Sequence, residues 1–281
     1  MATIDTIADR STGSAIAGKA YFETSTNKFI VFNGSAWIEL DSDGVGAVYE
    51  NRWGASFDGT DDYIQLPNGV LTALSGTAYT ISMWYNLDIQ GSYQEIFTAG
   101  SNLQIYFIPR SSTQVGIELY ANGASRLIQN YPYSNVGSWV HGCISVDTTG
   151  TSTLYINGSS NATVNSVPQL TSISNPVIGS FNGASNFLNG YVDDFAIFNS
   201  ALDQTAVTAL YGASPNAGIP SEVTGAAGYW RMGDDSNDTA TSGGSIATIT
   251  DSSGNGNDAV QATASAQPTF SAIASSETIY V

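Results

Sequence analysis

From residue 50 to residue 212 the chain is cut into short runs of aromatic and β-branched residues by Gly, Asn, Ser and Pro, at the spacing of a β-sandwich. The strands this pattern predicts are residues 53–57, 62–66, 79–87, 94–98, 103–109, 115–120, 126–130, 138–147, 152–157, 175–180 and 189–198. Composition agrees: Asp, Glu, Lys and Arg make up only 11% of the 281 residues, against 29 Gly, 15 Tyr and 11 Phe. That balance suits strands and tight turns better than helices with salt-bridged faces. The length allows one large domain with appendages or two domains.

Seven basic residues stand against 24 acidic ones, for a net charge of −17, and none of the seven lies between Arg126 and Arg231. Nucleic acid is therefore not an expected partner, since phosphate binding needs clustered cations. The acidity fits a self-repelling soluble surface or carboxylates gathered around calcium. Cys143 is the only cysteine, so no intrachain disulfide can form. Alternation in Trp139–Val146 puts Trp139, His141 and Cys143 on one face of a strand and Val140, Ile144 and Val146 on the other. No apolar run reaches membrane-spanning length, and residues 1–10 lack the pattern of a signal peptide, so no membrane insertion and synthesis as a soluble product are expected.

Three parts are expected: 1–45, 46–212 and 213–281. In the first, Ala20–Thr24, Lys28–Phe32 and Ala36–Leu40 read as a small β meander with a hairpin turn at Asn33-Gly34. This wording resembles short stretches in virion proteins of tailed phages. In the third, a Pro/Gly/Ala linker (Ala213–Pro220) precedes Gly228–Asp235 and Ile249–Val260, a β-rich appendage. A helix follows the strand at 189–198, with Ser200 and Asp203 as a capping box and Val207, Leu210 and Tyr211 as its apolar face.

Ser56–Pro67 and Gly190–Leu202, with Tyr79–Tyr85, Val115–Leu119, Gly137–His141 and Thr153–Gly158 in order between them, resemble the laminin-G-like, concanavalin A-type jelly roll over about residues 50–212. The resemblance implies an all-β, two-sheet antiparallel sandwich. One interlayer space about 10 Å thick is expected to take Trp84, Ile96, Phe107, Leu119, Trp139, Tyr155 and Phe195. Gly228–Asp235 and Ile249–Val260 look like the strands that usually lead such a domain, yet here they trail it; they belong either to a second domain or to a segment that folds back.

The same resemblance brings Asp58, Gly59 and Asp62 together with Asp193 or Asp194 at one edge, where they would hold Ca2+ or form a metal-free turn. Asp251–Asp258 lacks the bidentate Glu of a calcium loop and reads as a turn. Glycan binding would draw on Tyr131, Tyr133, Asn182 and Phe187 in two polar, aromatic loops. Related glucanases carry two Glu on one strand, whereas here Glu118 has no second Glu beside it. His141, in a core strand, is expected to be a buried, satisfied imidazole rather than part of a triad. These readings favour a non-enzymatic component on the exterior of a tailed-phage virion: a head decoration protein, head fibre or tail fibre. Its expected partners are two further copies in a homotrimer, other capsid or tail proteins, and a cell-surface glycan. The alternative is a calcium-dependent, glycan-binding bacterial adhesin at the cell surface or secreted; a second inward-facing carboxylate near Glu118 would revive an enzyme reading.

Overall fold

The computed structural model describes residues 2–4, 20–23, 28–32, 37–40, 53–88, 93–111, 114–132, 136–165, 167–213 and 225–273. Two compact units divide the chain, Met1–Glu50 with Ser275–Val281 and Asn51–Ala274. The first is a sheet ordered β1 (Ala2–Ile4), β2 (Ala20–Glu23), β3 (Lys28–Phe32), β4 (Trp37–Leu40). Its β2-β3-β4 part is an antiparallel meander with Phe32 opposite Trp37. The parallel partner β1 carries no signal in the sequence, and the Asn33-Gly34 turn lies outside the described residues.

The second unit is a sandwich. Its first sheet runs β14 (Ser159–Val164), β13 (Ser152–Ile156), β12 (Val140–Val146), β7 (Tyr79–Leu87), β16 (Asn189–Phe198), β5 (Trp53–Asp58), β20 (Thr269–Ala272), with β17 (Ala226–Trp230) also on β16. The second runs β11 (Ala124–Pro132), β10 (Gln114–Ala121), β9 (Leu103–Ser111), β8 (Gln94–Ala99), β15 (Pro176–Ile178), β6 (Ile64–Gln65), β19 (Ala259–Val260), β18 (Thr248–Ile249). Neighbours pair antiparallel, as the jelly-roll resemblance implies. Two tight hairpins are closed by Asn-Gly pairs, Asn122-Gly123 and Asn157-Gly158, with all four residues at positive φ. The second of these folds β14 onto β13, where Ala162 and Val164 pack against the core and Thr163 between them is exposed.

Inward-facing Ile81, Met83, Tyr85, Ile144 and Phe195 of the first sheet join Ile96, Phe97, Ile105, Phe107, Ile117 and Leu119 of the second in one buried core. Rings bridge the sheets, Tyr85 to Phe107 at 4.8 Å and Phe97 to Phe195 at 5.2 Å between centroids. Ile96, Phe107, Leu119 and Phe195 lie where the sequence places them. Trp84 and Trp139 do not: both are only half-buried and stand outside this core. Tyr155 belongs to a second cluster on the outer face of the first sheet, with Cys143, Phe198 and Tyr229. The alternation of β12 explains it, since His141 and Cys143 turn outward while Val140 and Ile144 turn in.

After a short helix α1 (Leu71–Leu74), the longer helix α2 (Gln204–Ala213) covers that second cluster with Val207 and Leu210. Its cap is Asp203, whose Oδ1 accepts from the Ala206 amide at 2.9 Å. Ser200 instead offers its carbonyl to the Thr80 hydroxyl, so the expected capping box does not form.

The C-terminal segment folds back. Strand β17 pairs with the far half of β16, β20 with β5, and β19 with β6, so the segment enters both sheets. Trp230, Met232, Ile246, Ile249 and Phe270 are buried in the main core.

Candidate functional site

The loop leaving β5 gathers three carboxylates, those of Asp58, Asp61 and Asp62. Carboxylate oxygens of Asp58, Asp61 and Asp62 all lie within 4.8 Å of one another. Gly59 makes the turn possible: its φ is +76°, and a Cβ there would stand 2.9 Å from the Asn189 Cβ. The turn holds itself, with the Thr60 amide donating to Asp58 Oδ1 at 2.8 Å and the Asp58 amide to Asp62 Oδ2 at 3.0 Å. Burial pushes Asp62 up to about 6; the Asp58 amide opposes this, and the charges of Asp58 and Asp61 add to it. Three hard oxygen donors suit a hard cation such as Ca2+, which would relieve the repulsion among them. Asp61 is the member that sequence reasoning omitted.

Asp193 and Asp194 do not join this loop. Asp58 lies opposite Asn189 on β16, and Asp193 is four residues further along, roughly 13 Å at about 3.3 Å per residue. There β16 changes partner, with β5 on its first half and β17 on its second. The register slips between Asp193 and Ala196, and Asp194 takes a φ of +45°. The Asp194 amide donates to Asp193 Oδ1 at 2.8 Å, and the Tyr229 hydroxyl donates to Asp194 Oδ1. Among the contacts described, these carboxylates hold a strand switch.

The predicted glycan loops divide differently. Tyr131 is in strand β11 rather than a loop, opposite Val115, and Tyr133 lies outside the described residues. Asn182 is half-buried at φ +54°, with its Oδ1 buried and unpartnered, and Phe187 is half-buried. Their loop lies against β8: the Asn182 amide donates to Thr98 Oγ1 and the Glu95 amide to the Asn186 carbonyl at 2.8 Å.

This loop leads to a polar row on the outer face of the second sheet. Glu95 of β8, Tyr106 of β9 and Glu118 of β10 stand directly opposite one another. Their neighbours Ile105, Phe107, Ile117 and Leu119 point into the core, so the row points away from it. Glu95 is 1% exposed, and burial pushes it up to about 8 against a hydrogen bond from the Asn186 side chain. The Tyr106 hydroxyl donates to Glu118 Oε2.

His141 is buried, with Nε2 at 2.9 Å from Ser82 Oγ, but its Nδ1 has no partner, so it is satisfied on one side only. Burial lowers it to about 4. Among the described residues no carboxylate orients the ring as a triad would, and helix α2 lies over this face.

A family model described as the concanavalin A-like lectin/glucanases superfamily matches residues 58–208, more than half of the chain. The chain belongs to the concanavalin A-like lectin/glucanase superfamily. Among solved structures, a Bacteroides ovatus "putative carbohydrate binding protein" aligns at 16% identity and a TM-score of 0.57, over 93% of this chain and 71% of that one. A heptameric SAP-like pentraxin from Limulus polyphemus aligns at 19% identity and a TM-score of 0.47, over 62% of this chain and 90% of that one. The Ruminococcus gnavus IT-sialidase CBM40 bound to α2,3-sialyllactose aligns at 16% identity and a TM-score of 0.42, over 57% and 94%. At 16% identity the likeness to the Bacteroides ovatus protein is one of fold. No curated protein sequence matches the chain. For a lectin/glucanase member, β10 is the strand to inspect: it carries Glu118 and no second Glu. The nearest acid in register is Glu95, two strands away, so the Cα atoms are about 9–10 Å apart with Tyr106 between them.

Proposed function

We propose that the sandwich is a non-catalytic glycan-binding module of the lectin kind. The observation that carries this reading is the single Glu on β10 in a family that contains both lectins and glucanases. Glu118 is engaged by the Tyr106 hydroxyl, and Glu95 stands two strands away on the far side of Tyr106, so the two do not share one strand as a glucanase pair does. The Asp58, Asp61 and Asp62 loop would hold Ca2+ through its carboxylates and rigidify the sandwich edge.

In this reading the chain displays the module on the exterior of a tailed-phage particle as a homotrimer, with the separate N-terminal sheet attaching to capsid or tail proteins. Two features support it: the phage-like wording of Ala20–Leu40 and the compact unit that this segment forms. Among the described residues no helix is long and apolar enough to cross a membrane. The acidic loop equally serves the second reading, a calcium-dependent adhesin on a bacterial surface.

A glycan array probed with the full chain, in calcium and in chelator, tests the module, and light-scattering mass tests the assembly. Glycan binding without release of reducing sugar, by a trimer that survives chelation, is the expected result. Hydrolysis of a bound glycan overturns the lectin reading. A monomer that binds glycan only with calcium favours the adhesin.

A further inference from the structure

The outer face of β8 carries Glu95 and Thr98, since Ile96, Phe97 and Ala99 belong to the core. Both outward residues are shut off from water, at 1% and 0% exposure. The turn Phe181–Phe187 lies on them: the Asn182 amide donates to Thr98 Oγ1 at 3.3 Å, the Glu95 amide donates to the Asn186 carbonyl at 2.8 Å, and the Asn186 side chain hydrogen-bonds the Glu95 carboxyl. We propose that this turn is a proton-operated latch, which sits on β8 while the Glu95 carboxyl keeps its proton and lifts when that proton leaves. The latch stands whether or not the module binds a glycan, and it does not use the carboxylates of the acidic loop.

The acid itself is the first observation. One Glu95 oxygen is met by Asn186, while Oε2 is buried with no partner. A protonated carboxyl tolerates such a site, whereas a carboxylate has more acceptor capacity than one donor fills. Burial accordingly pushes Glu95 up to about 8, opposed by the Asn186 bond. Among the described residues, the titratable groups on the neighbouring strands are Tyr106 of β9, directly opposite, and Glu118 of β10, which accepts from the Tyr106 hydroxyl and has the same sign of charge as an ionised Glu95. Tyr93 precedes Glu95 by two residues, with its ring centroid 5.7 Å from that of Tyr106. Arg110 is four residues further along β9 than Tyr106, roughly 13 Å at about 3.3 Å per residue. The turn and β15 bring no charged or titratable residue.

The second observation is how the turn is built. Asn182, Gly183 and Asn186 take φ of +54°, +73° and +51°, a region that Asn tolerates and Gly enters freely. Asn182 Oδ1 is also buried with no partner, and it gains water when the turn lifts. The bonds to β8 are thus what keep the turn seated. The third is a fixed base. The Leu188 amide donates to the Gly179 carbonyl at 2.8 Å, the Gly179 amide to the Ile96 carbonyl at 3.1 Å, and the Asn189 amide to Gln94 Oε1 at 3.1 Å. The turn can therefore move while β15 and β16 stay paired.

The seated turn holds Glu95 at about 8, and the lifted turn returns it toward the ordinary 4.5, so protons favour the seated form. The lifted fraction rises with pH between about 4.5 and about 8 and levels off above. Hydrogen exchange on the full-length protein, resolved by residue and corrected for the base-catalysed intrinsic rate, tests this. We expect protection of the Asn182, Gly183 and Glu95 amides to fall by about tenfold or more from about pH 5 to about pH 8, while the base amides of Gly179, Leu188 and Asn189 stay within about threefold. Glu95→Gln, which keeps the shape and cannot ionise, should hold all six amides within about threefold over the same range. The carbon-13 shift of the wild-type Glu95 carboxyl should titrate well above the ordinary 4.5. Turn protection that ignores pH in wild type, or falls equally in Glu95→Gln, overturns the latch, as does a carboxyl that titrates near 4.5. A loss shared by the base amides marks opening of the whole sandwich and overturns it too. If Glu95→Gln does not fold, the wild-type exchange series and the carboxyl titration decide.

Discussion

Glu95 shows how one buried group can tie stability to pH. Its folded value of about 8 lies above the ordinary 4.5, so its neutral form is the one the fold prefers. The stability it contributes is therefore complete below about pH 4.5 and is lost as pH rises through about 8. His141, lowered to about 4, acts oppositely: its contribution is present above 6.5 and lost as pH falls. Glu95→Gln isolates the first effect. Its stability relative to wild type, from denaturant melts, should grow between pH 5 and pH 8 and level off above; a difference constant across that range refutes the assignment. Little of this was legible in the sequence. Gln94-Glu95-Ile96-Phe97 reads as an ordinary strand, and only register, which a single chain does not display, sets Glu95 against Tyr106 and Glu118. Asp58, Gly59 and Asp62 were legible because the cluster is local, within one turn. Asp193 and Asp194 were set beside that loop by the resemblance, which carries no register, whereas Asn189 and not Asp193 stands opposite Asp58.

That break in β16 belongs to the scale of elements. On its edge away from β7 this strand of ten residues serves two partners, β5 then β17, and where they change over it carries an extra residue opposite β7 and a positive φ at Asp194. Asp tolerates that conformation better than a branched residue, and its carboxylate accepts from the Tyr229 hydroxyl, itself buried over the second cluster. Burial, and after it the neighbouring Asp194 charge, holds Tyr229 well above its usual value, keeping the hydroxyl a donor. Tyr229→Phe keeps the packing and removes the donor. It should cost about 1–3 kcal/mol by thermal melting, with α2 helicity intact; a loss below about 0.5 kcal/mol would show that the switch is held by pairing alone. The contrast with β14 is instructive. That strand begins with three polar residues and alternates only at Ala162 and Val164, so the Asn157-Gly158 turn that folds it back onto β13 supplies what its first half lacks.

At the scale of the whole molecule, chain order and spatial order disagree. Phrases that resemble the leading strands of a laminin-G-like domain trail it here; the fold seats the first on β16 and the second on β6, and the strand that follows them, β20, on β5. Trp230, fully buried, donates its indole N–H to the Asn257 carbonyl at 2.9 Å and packs 6.0 Å from Phe195. Its loss should thus damage the sandwich itself, by about 3–5 kcal/mol, and not chiefly an assembly contact. The geometry also accounts for how a trailing segment can take a leading segment's place. Strand β20 runs antiparallel to β5 with Ala272 opposite Trp53, so the end of the trailing segment and the start of the leading strand lie within about 5.5 Å. A short loop from Ile273 to Trp53 therefore closes the circle, and the chain can open instead between α2 and β17. We expect a permutant running from 225 to 273, through that loop, to 53–213 to fold as a monomeric sandwich with the wild-type sandwich's cooperative unfolding and near-ultraviolet circular dichroism. A permutant that is molten, or that needs residues 1–50 to fold, would mean that the trailing strands depend on the chain ends and not on their place in the two sheets.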